Sequence, residues 1–132
     1  HLKFLAPGFL YSVGMPPPVA AAALAALQLM IAEPDRVQRL QHNGKYFLHA
    51  MQRAGFNTGH ASGYAVVPAI FGSSIRVTQL ANRLQQLGIS VMPILYPAVP
   101  EQSARLRYFI CEGHTEAELD HAVQLLSEAA RA

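Results

Sequence analysis

The sequence predicts a two-layer α/β sandwich, in which helices cover a small, mainly antiparallel three-stranded sheet. Its 132 residues are the length of one domain, and 52% of them are apolar, enough to bury a core. Helical and strand periodicities alternate in the order helix, helix, then β-α-β-β-α, which is typical of this architecture. The single cysteine, Cys111, excludes a disulfide scaffold and fits a reducing cytoplasm, where we expect the protein to reside.

The predicted elements follow from periodicity and capping residues. Helices are expected from about Pro18 to Ala32, from Glu33-Pro34-Asp35 to Gly55, from Ser73 or Ser74 to Gly88, and from a capping box of Thr115 and Glu118 onward. Strands are expected over Tyr64–Phe71, Ile89–Leu95 and Arg105–Cys111. Pro68 predicts an edge strand or a bulge, because proline cannot donate to a strand ladder. We expect one domain over residues 1–132, with a leading extended strand and a buried interdomain helix in 1–32 and the sandwich in 33–132.

The first predicted helix is apolar on every side. The run from Pro16 to Ala32 is interrupted only by Gln28, which predicts burial on most faces. Its length falls short of a hydrocarbon core of ~30 Å, so we expect no membrane span. Only 14% of the chain is charged, against about 25% in an average domain, which indicates that another domain or subunit covers part of the surface.

Charge is distributed unevenly along the chain. No acidic residue lies between Arg36 and Pro100, whereas six of the eight acidic residues lie from Glu101 onward. Two interpretations remain open: solvated helix faces with attraction between the two halves, or a basic surface that faces an anionic ligand or partner. No aromatic residues are interleaved with the charges, so nucleic acid is not an expected partner.

The chain carries few residues able to do chemistry. It has no glycine-rich phosphate loop and no nucleophile elbow, and its histidine pairs lack a third ligand, so we expect neither a catalytic residue nor a metal site. Arg105 and Arg107 share one face of the predicted third strand. A guanidinium in an apolar strand needs a partner, and a bound carboxylate provides one. From the pattern alone, a strand with two solvated arginines is an equal alternative.

Two stretches resemble the α-oxoamine synthases. Phe9–Ala22, which reads FLYSVGMPPPVAAA, resembles the family pattern FIFSTxxPPxxAAA. Ile94–Pro100, Ala104–Arg107 and Glu112–Thr115 together resemble the family's C-terminal pattern PxVPxGxARLRxxxxxxHT. The resemblance extends over essentially the whole chain in order and spacing.

This resemblance implies an activity and a cofactor. The family consists of homodimeric pyridoxal-phosphate enzymes of the fold-type-I aminotransferase class, which condense an amino acid with an acyl thioester and release CO₂. The chain would then be the C-terminal small domain of such an enzyme, whose substrates are an amino acid and an acyl-CoA or acyl-carrier-protein thioester. Its two lysines, Lys3 and Lys45, lack the family's Schiff-base motif, so the isolated chain is expected to be inactive.

The resemblance also assigns two residues. Arg107 matches the arginine that holds the amino-acid carboxylate, and Ser12 matches a hydroxyl that reaches the cofactor phosphate of the neighbouring subunit. Two alternatives remain: a non-enzymatic ligand-binding or dimerisation module, and the C-terminal domain of an ordinary class I/II aminotransferase.

Overall fold

A computed structural model of the chain describes His1, Leu5 and residues 14–131. Its helices are α1 (Pro17–Ala32), α2 (Pro34–Arg53), α3 (Ser74–Gln86) and α4 (Glu116–Arg131), and its strands are β1 (Val66–Ile70), β2 (Met92–Ile94) and β3 (Arg105–Phe109). A 3₁₀ turn, Glu101–Ser103, leads into β3. The chain divides into two compact units, residues 1–34 and 35–132. The predicted leading strand falls largely on residues 8–13, outside the described residues.

Helix α1 begins where the prolines permit. Pro16 precedes the helix and Pro17 opens it, because a proline in the first turn forfeits no intrahelical hydrogen bond. No residue of α1 is buried within this chain. The burial that its composition predicts is therefore not supplied by the described residues of the chain itself.

The sheet has the strand order β1-β3-β2, and both pairs are antiparallel. The position of β1 at one edge confirms the prediction from Pro68, which lies opposite Arg107. The strands are shorter than the sequence predicts. β2 has three residues because it pairs only with the segment from Arg105 to Arg107.

The core of the second unit lies between one face of the sheet and its helices. Leu106 and Tyr108 of β3 are buried there, and the Tyr108 and Phe47 ring centroids lie 5.2 Å apart. The largest fully buried side chains are those of Phe47, Met51, Val67, Val77, Leu84, Leu106 and Leu126. A Cβ added at Gly44 of α2 would lie 1.7 Å from the Tyr64 carbonyl oxygen, so only glycine allows α2 to pack this closely.

Polar contacts join α2 to the acidic C-terminal part of the chain. Arg36 Nη1 lies 2.6 Å from Glu112 Oε1, and His42 Nε2 lies 2.8 Å from Glu116 Oε1. About one helical turn after His42, the Tyr46 hydroxyl donates to Asp120 at 2.8 Å. The ion pair between Arg36 and Glu112 joins the basic and acidic parts of the chain, as one of the two interpretations of the charge distribution predicts.

Among residues 14–131, no single helix is both long and apolar enough to cross a membrane; α1 and α2 reach that threshold only when they are counted together across the break between them.

Candidate functional site

The sheet face opposite the helices carries the two arginines predicted from the sequence. Strand alternation places Leu106 and Tyr108 in the core and Arg105 and Arg107 on the other side, where both are half-buried. The antiparallel register adds neighbours to this face, which we call the arginine face. It consists of Val66, Pro68, Ile70, Met92, Ile94, Arg105, Arg107 and Phe109.

Apolar side chains surround the arginines on this face. Pro68 and Met92 flank Arg107 across the strands, and Ile70 and Ile94 flank Arg105 in the same way. Met92 and Phe109 are 52% and 57% exposed. An antiparallel sheet with one solvated face normally has polar residues there, so this apolar and exposed surface is typical of one that binds a ligand or another part of a protein.

The two arginines differ in their hydrogen bonding. Arg105 Nε donates to the Ser103 carbonyl at 2.7 Å, which ties this side chain to the turn before β3. Among residues 14–131, no hydrogen bond or ion pair involves the Arg107 side chain. Arg107 therefore presents an unpaired planar fork of donors between apolar neighbours, which suits a carboxylate that accepts two parallel hydrogen bonds.

A cavity of about 750 Å³ adjoins this face on the β1 side. Its walls include Val66, Pro68, Ile70 and Arg105, together with the loop that carries Thr58 and His60. Local sequence patterns in residues 57–61 predict only a turn, because the position of a loop over a sheet depends on the tertiary fold. The described structure thus adds His60 as a polar neighbour of the arginine face.

The residues that the structure describes do not by themselves form a pyridoxal-phosphate site. Lys45, the one lysine among the described residues, is exposed on α2, whereas a Schiff-base lysine needs a shielded pocket. Lys3 and Ser12, the second of which is predicted to contact the cofactor phosphate, lie outside the described residues. The described residues therefore offer an unpaired arginine, Arg107, and no lysine in a shielded pocket to attach the cofactor.

Two of the described histidines make contacts that stabilise the fold. His114 Nδ1 accepts from the Cys111 backbone N–H at 3.2 Å, and His42 pairs with Glu116. Within the described part of the chain, no group of three or more histidine, cysteine, aspartate or glutamate side chains is arranged to hold a metal ion.

Comparison with known proteins identifies relatives of the whole chain. Residues 1–126 match the family model described as aminotransferase class I and II. The chain is 37% identical over 123 residues to the 8-amino-7-oxononanoate synthase of Symbiobacterium thermophilum, covering 93% of the chain and 31% of that protein. It is 34% identical over 115 residues to the synthase of the same name from Alkaliphilus oremlandii, covering 87% of the chain and 29% of that protein.

Solved structures share the fold at lower sequence identity. The 8-amino-7-oxononanoate synthase of Francisella tularensis superposes with a TM-score of 0.81 at 21% identity, covering 98% of this chain and 38% of that one. The serine palmitoyltransferase of Sphingomonas wittichii superposes with a TM-score of 0.85 at 19% identity, covering 98% of this chain and 33% of that one. The fold is therefore that of fold-type-I enzymes, as the sequence predicts.

The chain spans about a third of the length of the curated relatives that it matches. Because the family match extends from residue 1 to residue 126, the chain belongs to the class I and II aminotransferase family, and its similarity to the α-oxoamine synthase branch of that family is confirmed.

Proposed function

We propose that this chain is the C-terminal part of a pyridoxal-phosphate-dependent acyltransferase that condenses an amino acid with an acyl thioester and releases CO₂. In this proposal the arginine face forms one wall of the substrate site, and Arg107 binds the amino-acid carboxylate. The observation that carries it is the unpaired, half-buried Arg107 side chain among apolar neighbours. The similarity to two synthases at 34% and 37% identity supports the reaction class.

Arg107 acts by binding and orienting its substrate. Its guanidinium donates to both carboxylate oxygens, so the amino acid is held in one orientation and its remaining groups point away from β3. Pro68 and Met92 lie opposite Arg107 on the two neighbouring strands, so the half-buried arginine has apolar residues on both sides. A less hydrated setting strengthens a charge pair. Arg105 is engaged by the Ser103 carbonyl and therefore contributes mainly to the shape of the strand and turn.

In this proposal the lysine that carries the cofactor lies outside this chain, and Ser12 contacts the cofactor phosphate of the neighbouring subunit. Pyridoxal phosphate supplies the electron sink for cleavage of bonds at the amino-acid Cα. Since Lys45 is exposed on α2, we expect a longer protein to supply the lysine that carries the cofactor. The 132-residue chain alone is then inactive, and the active assembly is a homodimer of the longer protein in the cytoplasm.

The test is amino-acid affinity in single variants of the full-length protein. Arg107→Ala leaves the carboxylate facing an apolar surface, and we expect it to weaken amino-acid binding by about 2–4 kcal/mol. Arg107→Lys is expected to recover little of this loss, because an ammonium lacks the planar fork. Arg105→Ala is the matched control from the same strand face, and its larger effect is expected on thermal stability.

Two outcomes contradict the proposal. Unchanged affinity in Arg107→Ala, or a larger loss of affinity in Arg105→Ala, shows that Arg107 does not hold the carboxylate. The reaction class is tested separately by following free thiol released from an acyl thioester in the presence of amino acids. An ordinary aminotransferase instead exchanges amino groups with a 2-oxo acid and releases no thiol.

A further inference from the structure

The loop that precedes β3 is hydrogen-bonded at both ends to one serine. Ser74, the first residue of α3, donates its backbone N–H to Glu101 Oε1 at 2.7 Å and its hydroxyl to Glu101 Oε2 at 2.5 Å. The same hydroxyl oxygen accepts the Tyr96 backbone N–H at 3.3 Å. Both ends of the segment from Tyr96 to Glu101 are therefore hydrogen-bonded to Ser74, which lies 22 residues from Tyr96 and 27 residues from Glu101 in sequence.

The carboxylate suits this position electrostatically. The first N–H groups of a helix lack intrahelical acceptors and carry a partial positive charge, so they favour an anionic acceptor. The cap residue Ser73 makes only a long contact of 3.4 Å to the Arg76 N–H, which leaves the Ser74 N–H to Glu101. Hydrogen bonds from the Ser74 hydroxyl and backbone lower the pKa of Glu101, so the carboxylate is charged at neutral pH.

The anchored loop is continuous with the substrate-binding strand. Glu101 opens the 3₁₀ turn, the Ser103 carbonyl accepts from Arg105 Nε, and the buried Ala104 carbonyl accepts from the backbone N–H groups of Phe71 and Gly72 at 3.0 and 3.2 Å. A displacement of Glu101 is therefore transmitted to the beginning of β3, two residues before Arg107.

We propose that Glu101, through Ser74, is a positioning residue that fixes the 96–101 loop and the start of β3, and thereby the placement of Arg107 toward the amino-acid substrate. This inference rests on the proposed function of Arg107. Glu101 itself contacts Ser74 rather than substrate, so its loss affects substrate binding through geometry.

The test uses the full-length protein with Glu101→Gln, Ser74→Ala, the double variant and Ser74→Thr. We expect Glu101→Gln and Ser74→Ala each to raise the amino-acid KM by about threefold to tenfold while kcat changes less than about twofold. The effects should be less than additive in the double variant, because both substitutions weaken the same contact. Ser74→Thr keeps both donors and should restore the KM. Glu112→Gln is the control and should leave the KM unchanged. It removes an acidic side chain that lies after the C-terminal end of β3 and pairs with Arg36.

A second readout does not depend on activity. Amide hydrogen exchange in the peptide covering residues 94–103 should accelerate in Glu101→Gln and remain unchanged in Glu112→Gln. Three results would each overturn the inference. They are unchanged exchange in Glu101→Gln, additive effects in the double variant, and a fall in kcat that is explained by lower thermal stability alone. If Arg107→Ala raises the KM and Glu101→Gln does not, the positioning role fails and the proposed function stands. If Arg107→Ala has no effect while exchange accelerates, the proposed function fails and the anchoring of the loop stands without its role in binding.

Discussion

Tyr108 and Arg107 are adjacent on β3 but face opposite sides of the sheet. The Tyr108 side chain is 5% exposed and lies in the core, where no described residue accepts or donates a hydrogen bond to its hydroxyl. Burial raises the pKa of this hydroxyl, which therefore stays protonated at neutral pH. A buried polar group without a partner costs free energy, so this tyrosine is a local weakness in the core.

We therefore predict that Tyr108→Phe keeps or increases stability. Removing the hydroxyl eliminates its desolvation cost while the ring still packs on Phe47, and the expected gain is up to about 1 kcal/mol in the free energy of unfolding. Denaturant unfolding measures it, with Tyr64→Phe as the control at a site that is 62% exposed. A loss of more than about 1 kcal/mol in Tyr108→Phe alone would indicate that the hydroxyl has a partner, such as a buried water.

The sequence predicts some residue contacts and misses others for a physical reason. Strand alternation is local, so it places Arg105 and Arg107 on one face correctly. The different roles of the two arginines depend on the Ser103 carbonyl in the turn, whose orientation no local pattern specifies. The contact between Ser74 and Glu101 spans 27 residues and exists only after α3 and the turn have packed together.

At the scale of elements, the capping box at the start of α4 forms as the sequence predicts. The Thr115 backbone N–H donates to Glu118 Oε2 at 2.8 Å, and the Glu118 N–H donates to the Thr115 hydroxyl at 3.3 Å. Hydrogen bonds from the Thr115 backbone, and then from its hydroxyl, lower the pKa of Glu118. A carboxylate whose pKa is lowered by folding stabilises the folded state. This stabilisation is fully present at pH values above the ordinary pKa of the group, and it is lost as pH falls through the lowered pKa.

The lowered pKa of Glu118 predicts how the stability of the protein depends on pH. Glu118→Gln keeps a capping side chain but removes the charge, so we expect a thermal midpoint about 1–4 °C lower at pH 7. The difference from the unsubstituted protein should shrink as pH falls below the ordinary value of 4.5. Thermal scans from pH 7 to pH 3 measure it, and Glu128→Gln, near the end of the same helix, controls for loss of charge. A difference that is constant or that grows toward acid contradicts this account.

Element type follows from the sequence more closely than element length. The apolar stripe of α2 and the Pro68 edge strand are specified by residues close in sequence, and both are observed. β3 is predicted to reach Cys111 but ends at Phe109, because its ladder with β1 begins at Val66. Strand length is thus set by the partner strand, which a pattern within one segment does not specify.

At the scale of the whole molecule, two apolar surfaces of the chain are exposed. Helix α1 exposes at least half of the Leu24, Met30 and Ile31 side chains, and the arginine face exposes Met92 and Phe109. Soluble proteins rarely leave so much contiguous apolar surface on a helix. The chain spans about a third of the length of its relatives, and in the proposed function the rest of the longer protein covers α1. The low fraction of charged residues, 14% of the chain, is consistent with a surface that another part of a protein covers.

We predict that the 132-residue chain alone self-associates through α1. The large apolar side chains of α1 are exposed in this chain. Association between copies removes their apolar area from water, which stabilises the assembly by about 25 cal/mol per Å². Sedimentation equilibrium should show mass increasing with concentration. Replacing Leu24 and Ile31 together by glutamine should shift the chain toward monomer, since it removes two of the large exposed side chains while leaving the helix propensity nearly unchanged. Replacing Ile75, which is 73% exposed on α3, by glutamine is the matched control and should not alter the association. A chain that remains monomeric at every concentration, or one that dissociates equally with the Ile75 control, would show that α1 is not the associating surface.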